Sequence, residues 1–410
     1  MSPSLSPDEH RRLVESLGRT LAPRAVPLSR ALGCVLAEPL AARLPVPPFT
    51  NSAMDGFAVH ASDLAELPAT LPVAGDIPAG DAGGHAVAPG TAWRIMTGAP
   101  MPSGADTVVK VEMTDHAPHV TEPPGRVTIR RAPAPGANVR HAGEDVEPGA
   151  PVLPAGVVLG AAALSAAASV GYSLLPVVPR PRVGIVTAGS ELADPGARLG
   201  DGEIPDSNSV LLCGLVEAAG GIVAARVRSA DAPEALLASL ADWPELDVVI
   251  TAGGISAGAY EVVRQALASA AMRFHRVAQQ PGGPQGVGTV SLRGRGVPAL
   301  CLPGNPVSVF VSFHVYAAGL LAMLAGKASC AAPRRLEAVA GVGWASPAGK
   351  AQFMPVVYDG GSVRPVHRLG SSSHLAASVA LADGLAVVDA DVTRVAPGAR
   401  VGFLPTRLDR

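Results

Sequence analysis

Three segments of this chain share one pattern, in which an apolar run of strand length ends in a glycine-rich turn. The runs begin at Arg182, Asp247 and Val297. The turns that follow are 187–192 (TAGSEL), 251–256 (TAGGIS) and 302–308 (LPGNPVS). Because the carboxyl ends of parallel strands share one edge of an open α/β sheet, the three turns are expected to converge on one ligand-binding crevice. The pattern predicts a doubly wound α/β domain.

The LPGNPVS turn is the most informative of the three. Two prolines and a glycine lock it between an apolar strand and an apolar helix. Backbone N–H groups at the helix start would face an anion, and the helix dipole would add about 0.3–1 kcal/mol. A purely structural corner has the same pattern, so the case for a ligand depends on the other two turns.

The rest of the chain divides by the spacing of its apolar residues. Residues 7–17 are amphipathic, and Ser29 is predicted to cap a second helix that runs through Leu36. The turn Asp359-Gly360-Gly361 predicts a hairpin near the carboxyl end. The predicted domains are a helical linker domain (1–48 and 143–180), an inserted small β-rich domain (49–142), the α/β domain (181–327) and a small β-barrel domain (328–410).

One apolar segment is long enough to cross a membrane. Residues 307–326 carry no formal charge over 20 positions. Ser308, Ser312, His314 and the abrupt Asn-Pro start favour a helix buried in the α/β domain, and no membrane partner is expected.

Composition excludes several classes of protein. The 410 residues are 48% hydrophobic, which is ample for sizeable cores. A net charge of −2 without a basic stripe argues against nucleic acid as a partner. The four cysteines lie far apart with no C-x-x-C spacing, and the first twelve residues are polar. A cytoplasmic protein without zinc or disulfides is therefore predicted.

Seven motifs in order carry a family resemblance. They are NSAMDGFA (51–58), RIMTGAP (94–100), NVRHAGED (138–145), TAGSEL, IPDSNS (204–209), TAGGIS and LPGNPVS. Together they resemble the molybdopterin molybdenumtransferase family of MoeA and the gephyrin E domain, over nearly the whole chain. The resemblance implies a Mg²⁺-dependent transfer of molybdenum from molybdate into adenylylated molybdopterin with release of AMP. It also implies four domains and a homodimer, with the cleft between the α/β domain of one subunit and the β-rich domain of the other.

The resemblance also implies which residues act. The expected catalytic residues are Asp55, Thr97, Glu191, Asp231 and Glu261. Of these, Glu191, Asp231 and Glu261 are the expected Mg²⁺ ligands, since Mg²⁺ prefers hard oxygen donors. The expected substrate-binding residues are Arg140, Gly253, Gly254, Ser256, Pro281, Gly282, Pro303, Gly304, Asn305, Pro306 and Ser373.

Several of these residues have a structural alternative. Each glycine is also compatible with a tight turn alone. Asp231 is equally placed to cap the helix that begins at Pro233, and Arg140 to pair with Glu144 or Asp145. A helix cap is the alternative for Ser373.

The chain departs from the family pattern at two places. Glu261, after Ala259 and Tyr260, stands where the family usually has an aspartate. The family motif P-G-K-P is Pro281-Gly282-Gly283-Pro284, and Gln280 replaces a second lysine that often precedes it. Weaker anion binding follows unless Arg140, Arg273 or Arg276 compensates.

Two other functions remain open from the sequence. The missing lysines suit a scaffold that binds molybdopterin or a partner without turnover, whereas the retained acidic positions favour an enzyme. An enzyme of related fold acting on another nucleotide is disfavoured by the motifs outside the α/β domain. Transient contacts with the molybdopterin adenylyltransferase and with cofactor-accepting enzymes are also expected.

Overall fold

The three glycine-rich turns lie at one edge of a six-stranded sheet in the computed structural model. Its strands, in spatial order, are Ile222–Ser229, Arg182–Ala188, Val248–Ala252, Arg295–Leu302, Pro284–Leu292 and Met272–Arg276. The first four are parallel and the last two are antiparallel. The expected convergence of the three strand ends is confirmed.

The described residues are 4–229, 232–256, 261–269, 271–327 and 335–406. They fall into two units. The first comprises Met1–Arg24, Gly33–Ala37 and Pro176–Arg410, and the second comprises Ala25–Leu32 and Glu38–Leu175. The four-domain division stays a prediction, because compactness separates two units only.

Helices cover both faces of the sheet, which confirms the doubly wound fold. Alternate strand residues explain this, since Val183 and Ile185 enter one core while Val186 and Ala188 enter the other. The helices on the first face are Pro7–Glu15, Ser207–Ala218, Pro306–Ser312 and Ala318–Leu324. Those on the second face are Pro233–Ala241 and Val262–Leu267.

The long apolar helix is a core element. It runs from Pro306 to Leu324 with a π-helical segment at Phe313–Ala317. Its length and apolar composition suit a membrane span, but 78% of its most apolar 18-residue stretch is buried inside the protein. Burial of this kind is what the core helix of an α/β domain requires.

Two local predictions need correction. Pro284–Leu292 is not among the strands expected from the sequence, yet the segment forms a hairpin with Arg295–Leu302. The predicted helix from Ser29 to Leu36 is wrong. A single 3₁₀ turn at Leu28–Arg30 is followed by the buried strand Val35–Leu36, which pairs with Val177 and Val178.

The carboxyl-terminal region of the first unit forms a closed five-stranded barrel, as predicted. The strands are Ala351–Tyr358, Ser362–Pro365, Leu336–Ala340, Arg400–Pro405 and Gly384–Val388, and the last pairs back to the first. The hairpin turn at 359–361 is also confirmed.

The second unit is rich in β-strands, as predicted. Its main sheet contains Thr107–Lys110, Gly56–Val59, Ala92–Ile95, Ala69–Ile77 and Arg126–Ile129 in that order. Smaller elements are the paired strands Asn51–Ser52 and Val139–Arg140, the paired strands Leu40–Ala41 and Pro151–Leu153, and the helix Ala161–Ser169.

Candidate functional site

A cleft of about 840 Å³ opens at the sheet edge of the first unit. All three glycine-rich turns line it, and so do the segment 276–284 and two turns of the barrel. Residues far apart in the sequence therefore share one wall. The predicted binding residues that line the cleft are Gly253, Gly254, Ser256, Pro281, Gly282, Pro303, Gly304, Asn305, Pro306 and Ser373.

Close backbone contact explains why Gly253 must be a glycine. Its φ is +91°, and a Cβ there would lie 2.5 Å from the carbonyl oxygen of Ala188. The turn is therefore packed tightly enough to require glycine without any ligand, and the Gly253 N–H donates to the carbonyl oxygen of Leu302 at 3.1 Å. The tight turn therefore accounts for the glycine at this position.

Hydrogen bonds fix the LPGNPVS turn from both sides. Asn208 Nδ2 donates to the carbonyl oxygen of Gly304 at 2.6 Å, and Asn305 Nδ2 donates to Ser373 Oγ at 2.8 Å. The Val307 N–H also donates to the Ser373 carbonyl oxygen at 3.2 Å. Ser373 therefore joins the barrel to this turn, and it is not the N-cap of the following helix, which is Leu375.

Two cationic side chains of the described residues line the cleft. Arg276 ends the strand Met272–Arg276, and Lys350 precedes the barrel strand Ala351–Tyr358. The sequence indicated Arg276 as a compensating charge but missed Lys350. The pairing of Gln279–Gln280 with Ala351–Gln352 brings Lys350 there, and that long-range contact has no local sequence signal.

Asp55 and Thr97 lie together in a second pocket, of about 590 Å³, within the second unit. The Thr97 N–H and hydroxyl both donate to Asp55 Oδ1, at 2.7 and 2.8 Å. These hydrogen bonds lower the pKa of the Asp55 carboxyl, with a smaller contribution from His119. Asp55 is thus held as an exposed carboxylate near neutral pH.

A buried arginine shapes that pocket and was not predicted. Arg94 forms a bidentate pair with Asp76 at 2.7 and 2.6 Å. Its other N–H groups donate to the carbonyl oxygens of Val120 and Thr121. The wall at 116–121 is therefore fixed by a desolvated guanidinium.

Arg140 lies outside both pockets. It is exposed and pairs through its backbone with Asn51. Among the described residues it makes no ion pair with Glu144 or Asp145, and Glu144 instead accepts from the His141 N–H. The salt-bridge alternative for Arg140 is not formed.

Three family models match the chain in succession. The MoeA N-terminal region (domain I and II) matches residues 5–171, a probable molybdopterin binding domain matches 184–322, and the MoeA C-terminal region (domain IV) matches 337–406. Molybdopterin molybdenumtransferase 2 of Mycobacterium tuberculosis is 42% identical over 408 residues, covering 97% of this chain and 98% of that protein. The chain belongs to the MoeA family of molybdopterin molybdenumtransferases.

Other MoeA family members support the same assignment. Molybdopterin molybdenumtransferase 1 of Mycobacterium tuberculosis is 33% identical over 427 residues, covering 96% of this chain and 97% of that protein. The crystal structure of a molybdopterin biosynthesis MoeA protein from Pyrococcus horikosii is 27% identical with a TM-score of 0.73, and the match covers 99% of this chain and all of that one. The likeness extends over the full fold.

The carboxylates expected from the MoeA family are only partly described. Glu191 and Glu261 line the cleft, whereas Asp231 lies outside the described residues. The helix Pro233–Ala241 has Ala232 as its N-cap. Within the described ranges no group of three His, Cys, Asp or Glu side chains is placed to hold a metal, so the three-carboxylate Mg²⁺ site stays a prediction.

Glu261 also has a structural role. Its Oε2 accepts from the Ser256 N–H at 2.7 Å, and its Oε1 accepts from the Ser256 hydroxyl. The extra methylene relative to the usual MoeA aspartate lets the carboxylate reach across five residues. Glu261 therefore fixes the TAGGIS turn against its own helix.

Proposed function

We propose that this chain inserts molybdenum from molybdate into adenylylated molybdopterin and releases AMP. The observation that carries the proposal is the cleft at the sheet edge, where the described residues place backbone turns, two carboxylates and two cations around one space. A pterin dithiolene joined to AMP through pyrophosphate is polyanionic, and molybdate is a dianion. Both need N–H donors and cations rather than a nucleophilic side chain.

The cleft residues divide by chemistry. We assign the phosphate cradle to Gly253, Gly254 and Ser256, and the pterin end to the turn Pro303–Pro306 with Ser373. Pro281, Gly282 and Lys350 line the same cleft. Support comes from their placement in one cleft.

The donor set suits Mg²⁺. Mg²⁺ is usually held by one or two carboxylates together with substrate phosphates and water. Glu191 and Glu261 are two such groups beside the proposed phosphate cradle, and Asp231 is proposed as the third ligand. When bound, the ion would neutralise charge on the pyrophosphate.

We further propose a cytoplasmic homodimer whose subunits complete each other's sites. Asp55, Thr97 and Arg140 are placed in the second unit, where the first two form their own pocket. The family resemblance assigns these residues to the cleft of the neighbouring subunit. The adenylyltransferase and the cofactor-accepting enzymes are its proposed transient partners.

An assay of the purified chain with adenylylated molybdopterin, Mg²⁺ and molybdate tests the proposal. AMP release that depends on molybdate is expected, and Glu191→Gln should reduce it at least about tenfold. Tight binding of molybdopterin without AMP release would instead support the scaffold, for which the lysine replacements at Gln280 and Gly283 are the supporting observation.

A further inference from the structure

The proposed function assigns no role to one titratable side chain in the cleft. His374 lines the cleft together with Ser371, Ser372 and Ser373, and its side chain is exposed. Among the described residues that line this cleft, it is the one histidine.

The backbone around His374 is held firmly at the cleft wall. Asn305 Nδ2 donates to Ser373 Oγ at 2.8 Å, and the Val307 N–H donates to the Ser373 carbonyl oxygen at 3.2 Å. The His374 carbonyl oxygen accepts from the Ala376 N–H at 2.9 Å. These bonds fix the backbone that carries His374 beside the turn proposed to bind the pterin end.

Molybdenum insertion needs protons. When one Mo–S bond forms, one Mo–O bond breaks and the oxygen leaves as water. The thiol gives one of the two protons, and the second must come from an acid: Mo–O⁻ + HS–R + H⁺ gives Mo–S–R + H₂O. Molybdenum stays in the same oxidation state, so no reductant or oxidant is consumed.

Few cleft side chains suit that task near neutral pH. Among the described residues, the charged groups that line the cleft with His374 are Lys350 of a barrel turn, Arg276 of the sheet, and Glu191 and Glu261 of the strand-end loops. Guanidinium and ammonium groups hold their protons near neutral pH, whereas carboxylates have already lost theirs. An imidazole both gives and regains a proton in that range.

We propose that His374 is a catalytic residue, the general acid that protonates the departing molybdate oxygen. This inference rests on the proposed function. The imidazolium Nδ1–H or Nε2–H transfers its proton to the oxygen as the Mo–S bond forms, and solvent then reprotonates the ring. Lys350 and Arg276 bind the anion without transferring protons.

His374→Gln tests the proposal, because glutamine keeps a hydrogen-bond donor but does not titrate. His367→Gln is the matched control, since His367 lies seven residues upstream and does not line the cleft. Molybdate binding is measured by equilibrium dialysis with ⁹⁹Mo-molybdate. The rate of molybdate-dependent AMP release is measured from pH 5.5 to 9.

We expect His374→Gln to lower kcat about a hundredfold, a typical effect of losing a general acid, while molybdate affinity changes less than about threefold. The wild-type rate should fall toward the alkaline end of this range, because the protonated ring is the active form. That limb of the profile should vanish in His374→Gln and persist in His367→Gln.

Three outcomes overturn the proposal. An unchanged kcat and pH profile in His374→Gln leaves no role in proton transfer. A loss of molybdate affinity with unchanged kcat makes His374 an anion-binding residue only. If wild type itself releases no AMP in response to molybdate, the proposed function fails and this inference fails with it. The first two outcomes, in contrast, overturn this inference alone.

Discussion

Two adjacent glycines in the cleft differ in what they tolerate. Gly282 has a φ of +90°, and a Cβ there would lie 3.1 Å from both Gln279 Nε2 and Ser312 Oγ. Gly283 has no such constraint, because its nearest neighbour would be the Val277 carbonyl oxygen at 3.5 Å. A side chain at 283 is therefore sterically acceptable, whereas one at 282 is strained.

Gly283→Lys should lower the half-saturating concentration of molybdate. A lysine beside Arg276 adds a cation to the proposed anion site, and a charge-assisted hydrogen bond justifies about a tenfold gain. Molybdate titration of AMP release is the measurement. Gly283→Gln is the neutral control, and an equal effect of both substitutions would mean that charge at this position is irrelevant.

At the scale of the element, the amino-terminal helix is anchored by a buried polar chain. His10 Nδ1 lies 2.9 Å from His275 Nε2, and the His10 ring packs edge-on against Tyr316 at 4.5 Å between centroids. Tyr316 in turn donates to Gln279, whose Nε2 donates to the Pro281 carbonyl oxygen at 3.0 Å. Helix Pro7–Glu15 and the Pro281 turn are thus mechanically linked.

Acid should destabilise this arrangement. Burial lowers the pKa of His10 from 6.5 to about 3, with a smaller contribution from His275. The unfolded chain therefore takes up a proton that the folded chain refuses, and stability present above about pH 6.5 is lost as pH falls toward 3. His10 alone contributes a slope of at most about 1.4 kcal/mol per pH unit in that window.

Chemical denaturation of wild type and His10→Leu at several pH values measures that slope. The variant should lose less stability than wild type between pH 6.5 and 4, even if it is less stable at pH 7. Exposed His141→Leu serves as the control and should retain the wild-type slope. Parallel slopes for all three proteins would place the acid sensitivity elsewhere.

At the scale of the whole molecule, ligand binding should be visible as global stability. Glu191, Asp231 and Glu261 are expected to repel one another without a cation. Mg²⁺ should therefore raise the Tm of wild type by a few degrees, following RT ln(1 + [L]/Kd). Melting curves with and without Mg²⁺ on Asp231→Asn and Glu261→Gln test this.

The two variants separate the ligand role from the structural one. If the replaced carboxylate is a metal ligand, the substitution should reduce the Mg²⁺-induced rise in Tm. It should leave the stability without metal equal or higher. Glu261 also accepts a hydrogen bond from Ser256. If Glu261→Gln keeps the full Mg²⁺-induced rise in Tm but has a lower Tm without metal, Glu261 stabilises the turn and does not bind the metal.

Assembly offers a test of the shared cleft. Asp55→Ala and Glu191→Ala should each be nearly inactive, yet a heterodimer of the two holds one wild-type cleft. Random exchange gives half heterodimers, so mixing should restore about a quarter of wild-type activity. Confirmed heterodimers without recovered activity would contradict a cleft built from two subunits.

The sheet edge and the family resemblance can both be read from local patterns in the sequence. Strand-length apolar runs followed by TAGSEL, TAGGIS and LPGNPVS carry their own local signal, since apolar composition specifies a buried strand and glycine or proline specifies the turn. These signals were sufficient for the doubly wound fold, and the seven motifs were sufficient for the MoeA resemblance.

The contacts between distant segments cannot be predicted from such local patterns. Lys350 reaches the cleft because a barrel strand pairs with Gln279–Gln280, some seventy positions earlier. Likewise, Pro284–Leu292 is a strand because neighbours on both sides supply hydrogen bonds, although its own residues lack apolar alternation. Local composition encodes local conformation, whereas pairing between remote segments depends on the free energy of the whole core, which no short window of sequence contains.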